Sequence, residues 1–194
     1  MPDPKQEKDE VSPFEQKSIL ITGASEGIGR ALALQLAAVR GRLTLVARNA
    51  ERLERLATEC RALGAEVLVV AEDVGDEAAA ARIIAATLQR FTALDILVNN
   101  AGITMWSRLD ALQDAAILER MMRVNYLGAA WLTAASLPAL ASSRGLVVAV
   151  ASVAGLTGVP ERTGYAASKH AMIGFFESLR IEVQPQGIDE QIGR

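Results

Sequence analysis

The chain has 194 residues, of which 51% are hydrophobic, so it can bury a sizeable core as a single domain. Its net charge of −3 provides no basic footprint, which argues against a nucleic-acid partner. A single cysteine, Cys60, and a single histidine allow neither an internal disulfide nor a metal site, and a cytoplasmic protein without a secretory signal is expected. The uncharged stretch 124–143 contains Asn125, Gly128 and Pro138, so it predicts a covered helix and no membrane partner.

The pattern along the chain predicts one α/β domain. Residues 1–16 are polar and contain three prolines, which predicts a disordered N-terminal extension ahead of a domain at 17–194. Apolar runs predict strands at 18–22, 43–47, 66–71, 95–99 and 146–151. Helical patterns between them predict helices at 28–39, 50–63, 76–91, 115–140 and 162–184. Continuously apolar strands separated by helices indicate a parallel sheet with helices on both faces.

A glycine-rich turn follows the first predicted strand directly, with glycines at positions 23, 27 and 29. Glycine allows a tight turn and lets a phosphate approach without a Cβ in the way, and the following helix offers unpaired N–H groups to an anion. The spacing is Gly-x-x-x-Gly-x-Gly rather than the commoner Gly-x-Gly-x-x-Gly. A turn without a ligand is the alternative, but a strand before it and a helix after it favour a nucleotide site.

Tyr165 and Lys169 are four residues apart, which places them on one face of a helix. A lysine held near a tyrosine favours the phenolate and lowers a pKa that is normally about 10. Such a tyrosine can exchange protons with a hydroxyl or carbonyl near neutral pH. The spacing alone is common on solvated helix faces, so its weight depends on Ser152 upstream and on the glycine-rich turn.

Four motifs together resemble the short-chain dehydrogenase/reductase family: Thr-Gly-Ala-Ser-Glu-Gly-Ile-Gly at 22–29, Asn-Asn-Ala-Gly at 99–102, Ser152, and Tyr165 with Lys169. The resemblance implies a Rossmann-type, doubly wound parallel sheet in three layers, α/β/α. It also implies a nicotinamide cofactor and the interconversion of small-molecule alcohols and ketones. A homodimer or homotetramer is the oligomeric state that the family implies.

The resemblance implies a role for each of four catalytic residues. Tyr165 would be the general acid/base, and Lys169 would lower its pKa and bind the nicotinamide ribose. Ser152 would donate a hydrogen bond to the substrate oxygen, and Asn125 would hold a water that links Lys169 to solvent. Read without the family, Ser152 is a serine at a strand end and Asn125 is a buried polar residue in a helix.

The end of the second strand predicts which cofactor is preferred. Ala47 stands where the resemblance places an acid for the ribose 2′-hydroxyl of NAD, and Arg48 follows as a bidentate donor for the 2′-phosphate of NADP. NADP(H) is therefore predicted over NAD(H), and the alternative is a surface arginine that precedes a helix capped by Asn49. The full set of cofactor-binding residues that the resemblance implies is Gly23, Ser25, Gly27, Ile28, Gly29, Arg48, Asp73, Val74, Asn99, Ala101, Gly102, Tyr165 and Lys169.

The C-terminal residues depart from the family pattern. Members usually continue into a sixth strand, a segment that covers the substrate and a seventh strand, whereas residues 189–194 are polar. The sequence therefore predicts that the last two strands are missing and that the fifth strand has an unpaired edge. Three hypotheses remain: an NADP(H)-dependent oxidoreductase, a truncated non-catalytic chain that binds nucleotide or dimerises, and, less favoured, an epimerase or dehydratase with the same Tyr/Lys pair.

Overall fold

The computed structural model describes residues 12–193, so most of the N-terminal extension predicted at 1–16 lies outside the described residues. Residues 12–16, the described part, form a hydrogen-bonded turn. In this turn the amide of Glu15 donates to the carbonyl of Ser12 at 3.0 Å, and that of Gln16 donates to Arg40 at 3.2 Å.

Six parallel strands form one sheet in the order β3-β2-β1-β4-β5-β6. The strands are β1 Ser18–Thr22, β2 Arg42–Ala47, β3 Glu66–Ala71, β4 Ile96–Asn99, β5 Leu146–Val150 and β6 Asp189–Gly193. The bounds of β1 to β5 agree with the predicted bounds to within one residue. The chain crosses from the outer strand β3 back to β4 beside β1, so the topological switch point, where α/β sheets bind ligands, lies between β1 and β4.

The sixth strand corrects the expectation that the sheet ends at β5. β6 pairs in parallel with β5, from Leu146 opposite Asp189 to Val150 opposite Gly193, so the edge of β5 is not free. On one face of β6, Asp189 and Gln191 are exposed, whereas Glu190 on the other face is buried. This alternation marks a half-covered strand, whose backbone hydrogen bonds form without the apolar run that a central strand shows.

Helices cover both faces of the sheet. They are α1 Gly27–Ala38, α2 Ala50–Ala62, α3 Glu77–Phe91, α4 Ala116–Met121, α5 Gly128–Ser143 and α6 Thr163–Val183. α1 and α2 pack with Ile19 and Ile21 on one face, whereas α3, α5 and α6 pack with Leu20 on the other. This arrangement confirms the predicted three-layer α/β/α fold. Within residues 12–193, no helix combines the length and hydropathy needed to cross a membrane.

The helix predicted at 115–140 is not one regular helix. A π-helical segment, Met122–Leu127, separates α4 from α5. Asn125 lies within this segment and is fully buried. Segments of this kind are rare and often mark functional sites, because the extra residue per turn redirects a side chain.

Candidate active site

The glycine-rich turn joins β1 to α1 and has a backbone that requires glycine. Gly23 and Gly27 have φ of +64° and +56°, in the left-handed region. A Cβ at Gly29 would lie 2.5 Å from the carbonyl oxygen of Gly23, closer than any real contact allows. α1 begins without a side-chain cap and without an acid in its first turn, so its N-terminal N–H groups are available to an anion.

A polar network fixes this turn to the loop that follows β4. The Thr22 hydroxyl donates to the Val98 carbonyl at 3.2 Å and accepts from the amides of Asn100 and Ala101 at 2.9 and 3.0 Å. The side-chain amide of Asn100 in turn donates to the carbonyls of Thr22 and Gly23, at 2.9 and 3.3 Å. Neither Thr22 nor Asn100 was among the predicted site residues, although both belong to the quoted motifs.

A cleft of about 880 Å³ opens above this network at the carboxyl ends of β1, β2 and β4. Nine of the predicted cofactor-binding residues line it: Gly23, Ser25, Gly27, Ile28, Arg48, Asp73, Val74, Ala101 and Gly102. Asn99 does not line the cleft, because its side chain is buried and donates to the hydroxyl of Thr133 in α5 at 2.9 Å. Its neighbour Asn100 lines the cleft instead.

The predicted catalytic pair lies in the first two turns of α6. Tyr165 is half-buried, and the Nζ of Lys169 lies 6.0 Å from the centre of its ring. Lys169 is only 4% exposed, and its Nζ donates to the carbonyl of Val150 at the end of β5, at 2.8 Å. Burial without a facing carboxylate lowers the pKa of Lys169 from 10.5 to about 8, because desolvation penalises the ammonium.

Ser152 follows β5, two residues beyond the carbonyl that Lys169 binds. Its backbone is extended, and its Oγ accepts from the amide of Ala154 at 3.2 Å. The hydroxyl proton of Ser152 is not used in this contact and can be donated to a ligand. The end of β5 therefore brings Ser152 and Lys169 to the same edge of the sheet.

Asn125 links α6, which carries the predicted catalytic pair, to the loop after β4. Its Oδ1 accepts from the amide of Ile103 at 2.8 Å, and its Nδ2 donates to the carbonyl of Ile103 and to the hydroxyl of Ser168, each at 2.9 Å. A Cβ added to Gly102 would lie 3.4 Å from Asn125 Oδ1 and 3.9 Å from Lys169 Nζ. Gly102 also lines the cleft, so the cleft and Lys169 of the predicted catalytic pair meet at this residue. The water-holding role of Asn125 stays a prediction.

Arg162 lies near Tyr165 and joins it to the loop after β4. Its guanidinium lies 4.2 Å from the ring centre of Trp106 and 5.6 Å from that of Tyr165. Its Nη1 also donates to the hydroxyl of Thr104 at 3.3 Å. Its position three residues before Tyr165 is visible in the sequence. Its contact with residues 104–106 could not be predicted, because it exists only in the folded chain.

No group of histidine, cysteine or acidic side chains within residues 12–193 has the arrangement of a metal site. Cys60 lies on the buried face of α2, and burial raises the pKa of its thiol to about 11, so it is not a reactive thiolate.

The six-stranded parallel sheet, with a cleft at its switch point, defines a Rossmann-type α/β protein. The family described as short chain dehydrogenase matches residues 17–191, and the chain belongs to this family.

Two relatives illustrate the likeness. The chain is 42% identical over 171 residues to an 11-beta-hydroxysteroid dehydrogenase-like 4A protein of Arabidopsis thaliana, covering 88% of this chain and 57% of the relative. It is also 42% identical over 180 residues to dehydrogenase/reductase SDR family member 7B of Bos taurus, covering 88% and 54%. The chain thus spans little more than half the length of these curated relatives.

Two solved structures share the fold. The crystal structure of an NAD+-bound xylitol dehydrogenase superposes with a TM-score of 0.88 and 29% identity, covering 94% of this chain and 71% of the other. A metagenomic short-chain oxidoreductase in complex with NADP gives a TM-score of 0.87, also at 29% identity, covering 93% and 81%. Nicotinamide dinucleotides of both kinds are therefore bound by proteins of this fold.

Replacing Gly29 with alanine tests whether the glycine-rich turn binds a dinucleotide. The added Cβ would meet the Gly23 carbonyl and the Asn100 side chain at 2.5 and 2.6 Å, so Gly29→Ala should weaken binding of NADPH and NADH by about tenfold or more. Calorimetric titration measures this loss. Gly174→Ala is the matched control, since a Cβ there meets nothing within 4 Å. Unchanged affinity in Gly29→Ala would contradict the assignment.

The pKa of Lys169 predicts a stability change with pH. Because the folded pKa of about 8 lies below 10.5, the unfolded chain binds more protons than the folded chain between these values, and the free energy of unfolding rises with pH in that window. Lys169→Met removes this rise, so its stability relative to the wild type should fall as pH increases. Urea denaturation at a series of pH values measures the difference.

Arg180→Met replaces an exposed residue on the same helix and is the control for this experiment. Its stability relative to the wild type should not change with pH across the window, because arginine stays charged throughout. A pH-independent difference for Lys169→Met would mean that Lys169 is not desolvated.

Proposed function

We propose that the chain holds the cofactor site and the catalytic residues of an NADP(H)-dependent oxidoreductase that interconverts a hydrophobic carbonyl compound and its alcohol. The observation that carries the proposal is the position of Lys169, which binds the end of β5 two residues before Ser152 and lies beside the ring of Tyr165 and next to Gly102 in the cleft wall. Glycine at 29, the uncapped start of α1 and the size of the cleft fit a dinucleotide.

When bound, the nicotinamide supplies or accepts the hydride at the substrate carbon. In the direction of reduction, the Tyr165 hydroxyl gives its proton to the substrate oxygen as the hydride reaches the carbon, so the carbonyl becomes an alcohol. The nearby Lys169 ammonium stabilises the phenolate that remains. The free proton of the Ser152 hydroxyl polarises the same oxygen by a hydrogen bond.

The choice of NADP(H) depends on Arg48. Its guanidinium lines the cleft, is well exposed and, within residues 12–193, makes one ion-pair contact, 3.8 Å to Asp73. Ala47 before it presents no carboxylate that would repel a phosphate. A planar guanidinium matches the oxygens of a 2′-phosphate bidentately.

An apolar substrate is supported by the exposed side chains beside the catalytic residues. Val153 and Leu156 follow Ser152 and are 63% and 52% exposed, and Trp106 is 69% exposed on the loop held by Arg162. Covering these side chains with the apolar body of a ligand favours binding, because it removes apolar surface from water. The names of the steroid dehydrogenase relatives point in the same direction.

The alternative is a non-catalytic chain that binds nucleotide or dimerises. The presence of β6 weakens this alternative, because it depended in part on a sheet that stops at β5.

The proposal also keeps a cytoplasmic location, compatible with the single free thiol of Cys60, and the homodimer or homotetramer that the family implies.

Tyr165→Phe tests the acid/base role. The variant loses the transferable proton but keeps the ring, so turnover should fall by about a thousandfold or more while the affinity for NADPH stays within about twofold. NADPH oxidation with a panel of apolar ketones, steroid ketones included, measures turnover. Tyr126→Phe, the only other tyrosine, should leave turnover unchanged. Full activity in Tyr165→Phe would refute the assignment.

Arg48→Ala tests the cofactor preference. Removing the guanidinium should weaken NADPH binding by about 10- to 100-fold and NADH binding by less than about threefold, since only NADPH carries the 2′-phosphate. Calorimetric titration with both dinucleotides gives the ratio. Arg55→Ala, whose ion pair with Glu51 lies outside the cleft, is the control. Equal losses for both dinucleotides would refute the phosphate role.

A further inference from the structure

A second arginine faces the same end of the cleft as Arg48. Arg52, in the first turn of α2, lines the cleft, and its Nη1 contacts Glu26 Oε2 at 2.5 Å. Glu26 also lines the cleft from the glycine-rich turn. Arg48 and Asp73 make the other ion pair at this end, at 3.8 Å. Two guanidinium groups and two carboxylates thus share the place where the 2′-position of the cofactor is proposed to lie.

The two pairs are not equivalent. Arg52 is held in place, because its backbone amide donates to the Asn49 side chain at 2.9 Å in the cap of α2. Glu26 is the N-cap residue of α1, but its side chain makes no capping hydrogen bond and reaches Arg52 instead. The two side chains are 50% and 74% exposed, so the pair contributes little stability and can be exchanged for a stronger anion.

We propose, on the basis of the proposed function, that Arg52 is a second ligand for the 2′-phosphate of NADP(H) and that Glu26 competes with this phosphate for Arg52. A phosphate carries up to two negative charges and three acceptor oxygens, so it displaces a single carboxylate from a guanidinium. Glu26, then without its partner, repels the phosphate. The carboxylate of Glu26 therefore lowers the preference for NADP(H) over NAD(H), and Arg52 raises it.

The other carboxylates at this end cannot replace Glu26 in this role. Glu72 is engaged by the Arg82 guanidinium through two contacts of 2.8 Å. Asp73 accepts from the amide of Gly75 at 2.9 Å in addition to its contact with Arg48.

A purely structural role is the competing explanation, since the pair also connects α1 to α2. The chain contains a matched pair for comparison: Arg30 and Glu59 join the same two helices at 2.8 Å, and neither lines the cleft. Glu59→Gln therefore controls for the loss of an interhelical ion pair.

The test measures the affinities of NADPH, NADH and adenosine 2′,5′-bisphosphate by calorimetry for Glu26→Gln, Arg52→Gln, the double variant and Glu59→Gln. Glu26→Gln should tighten NADPH and the bisphosphate by about three- to tenfold and NADH by less than about twofold. Arg52→Gln should weaken NADPH selectively, and in the double variant the gain from Glu26→Gln should disappear. Glu59→Gln should leave the NADPH/NADH ratio unchanged.

Two failures are distinguishable. If Arg48→Ala lowers NADPH affinity selectively but Glu26→Gln shifts both dinucleotides equally or not at all, the competition between Glu26 and phosphate is refuted and the proposed function stands. If the wild type binds neither dinucleotide, the proposed function fails and this inference fails with it. Thermal melting of all variants reveals any loss of folding, which a structural role predicts equally for Glu26→Gln and Glu59→Gln.

Discussion

The polar network at the switch point of the sheet fixes the glycine-rich turn to the loop after β4, and both segments line the cleft. Thr22 at the end of β1 and Asn100 after β4 satisfy one another's backbone and side-chain groups. Buried polar groups are costly unless each has a partner, so this network specifies one arrangement of two loops that leave the sheet in opposite directions. One loop is the glycine-rich turn, and the other leads through Gly102 to the predicted catalytic residues.

The connection continues through Asn125. The π-helical segment turns this buried side chain toward the backbone of Ile103, and its remaining amide proton reaches Ser168 in α6. Ser168 donates to the carbonyl of Tyr165 at 2.8 Å, so the first turn of α6 is tied to the loop after β4. A regular helix at 122–127 would direct the side chain elsewhere, which gives the irregular segment a physical reason in this site.

The sequence predicted what depends on local pattern. The apolar runs of β1 and β3 predicted their bounds, and the motifs at 22–29 and 99–102 contain several of the residues that line the cleft. The π-helical segment could not be predicted, because it depends on the contact of Asn125 with a residue 22 positions away. β6 was missed because its stability comes from the backbone of β5 rather than from its own polar side chains.

The assignment of Asn99 rather than Asn100 to the cleft wall has a similar explanation. Side chains alternate along a strand, so Asn99, the last residue of β4, faces α5 and bonds Thr133. Asn100 lies just beyond the strand, where its direction is set by the turn against Thr22. A motif identifies such a pair of residues, but only the register of the strand decides which of the two faces the cleft.

The two ends of the site use charge in different ways. Lys169 is an ammonium enclosed by protein, so its hydration is already lost and its pKa of about 8 is set by fixed surroundings. At the other end, Arg52 and Glu26 are exposed and solvent screens them, so exchanging one partner costs little. Under the proposed function, substitution at the exposed end would therefore change the selectivity between cofactors, while the buried end would keep the chemistry constant.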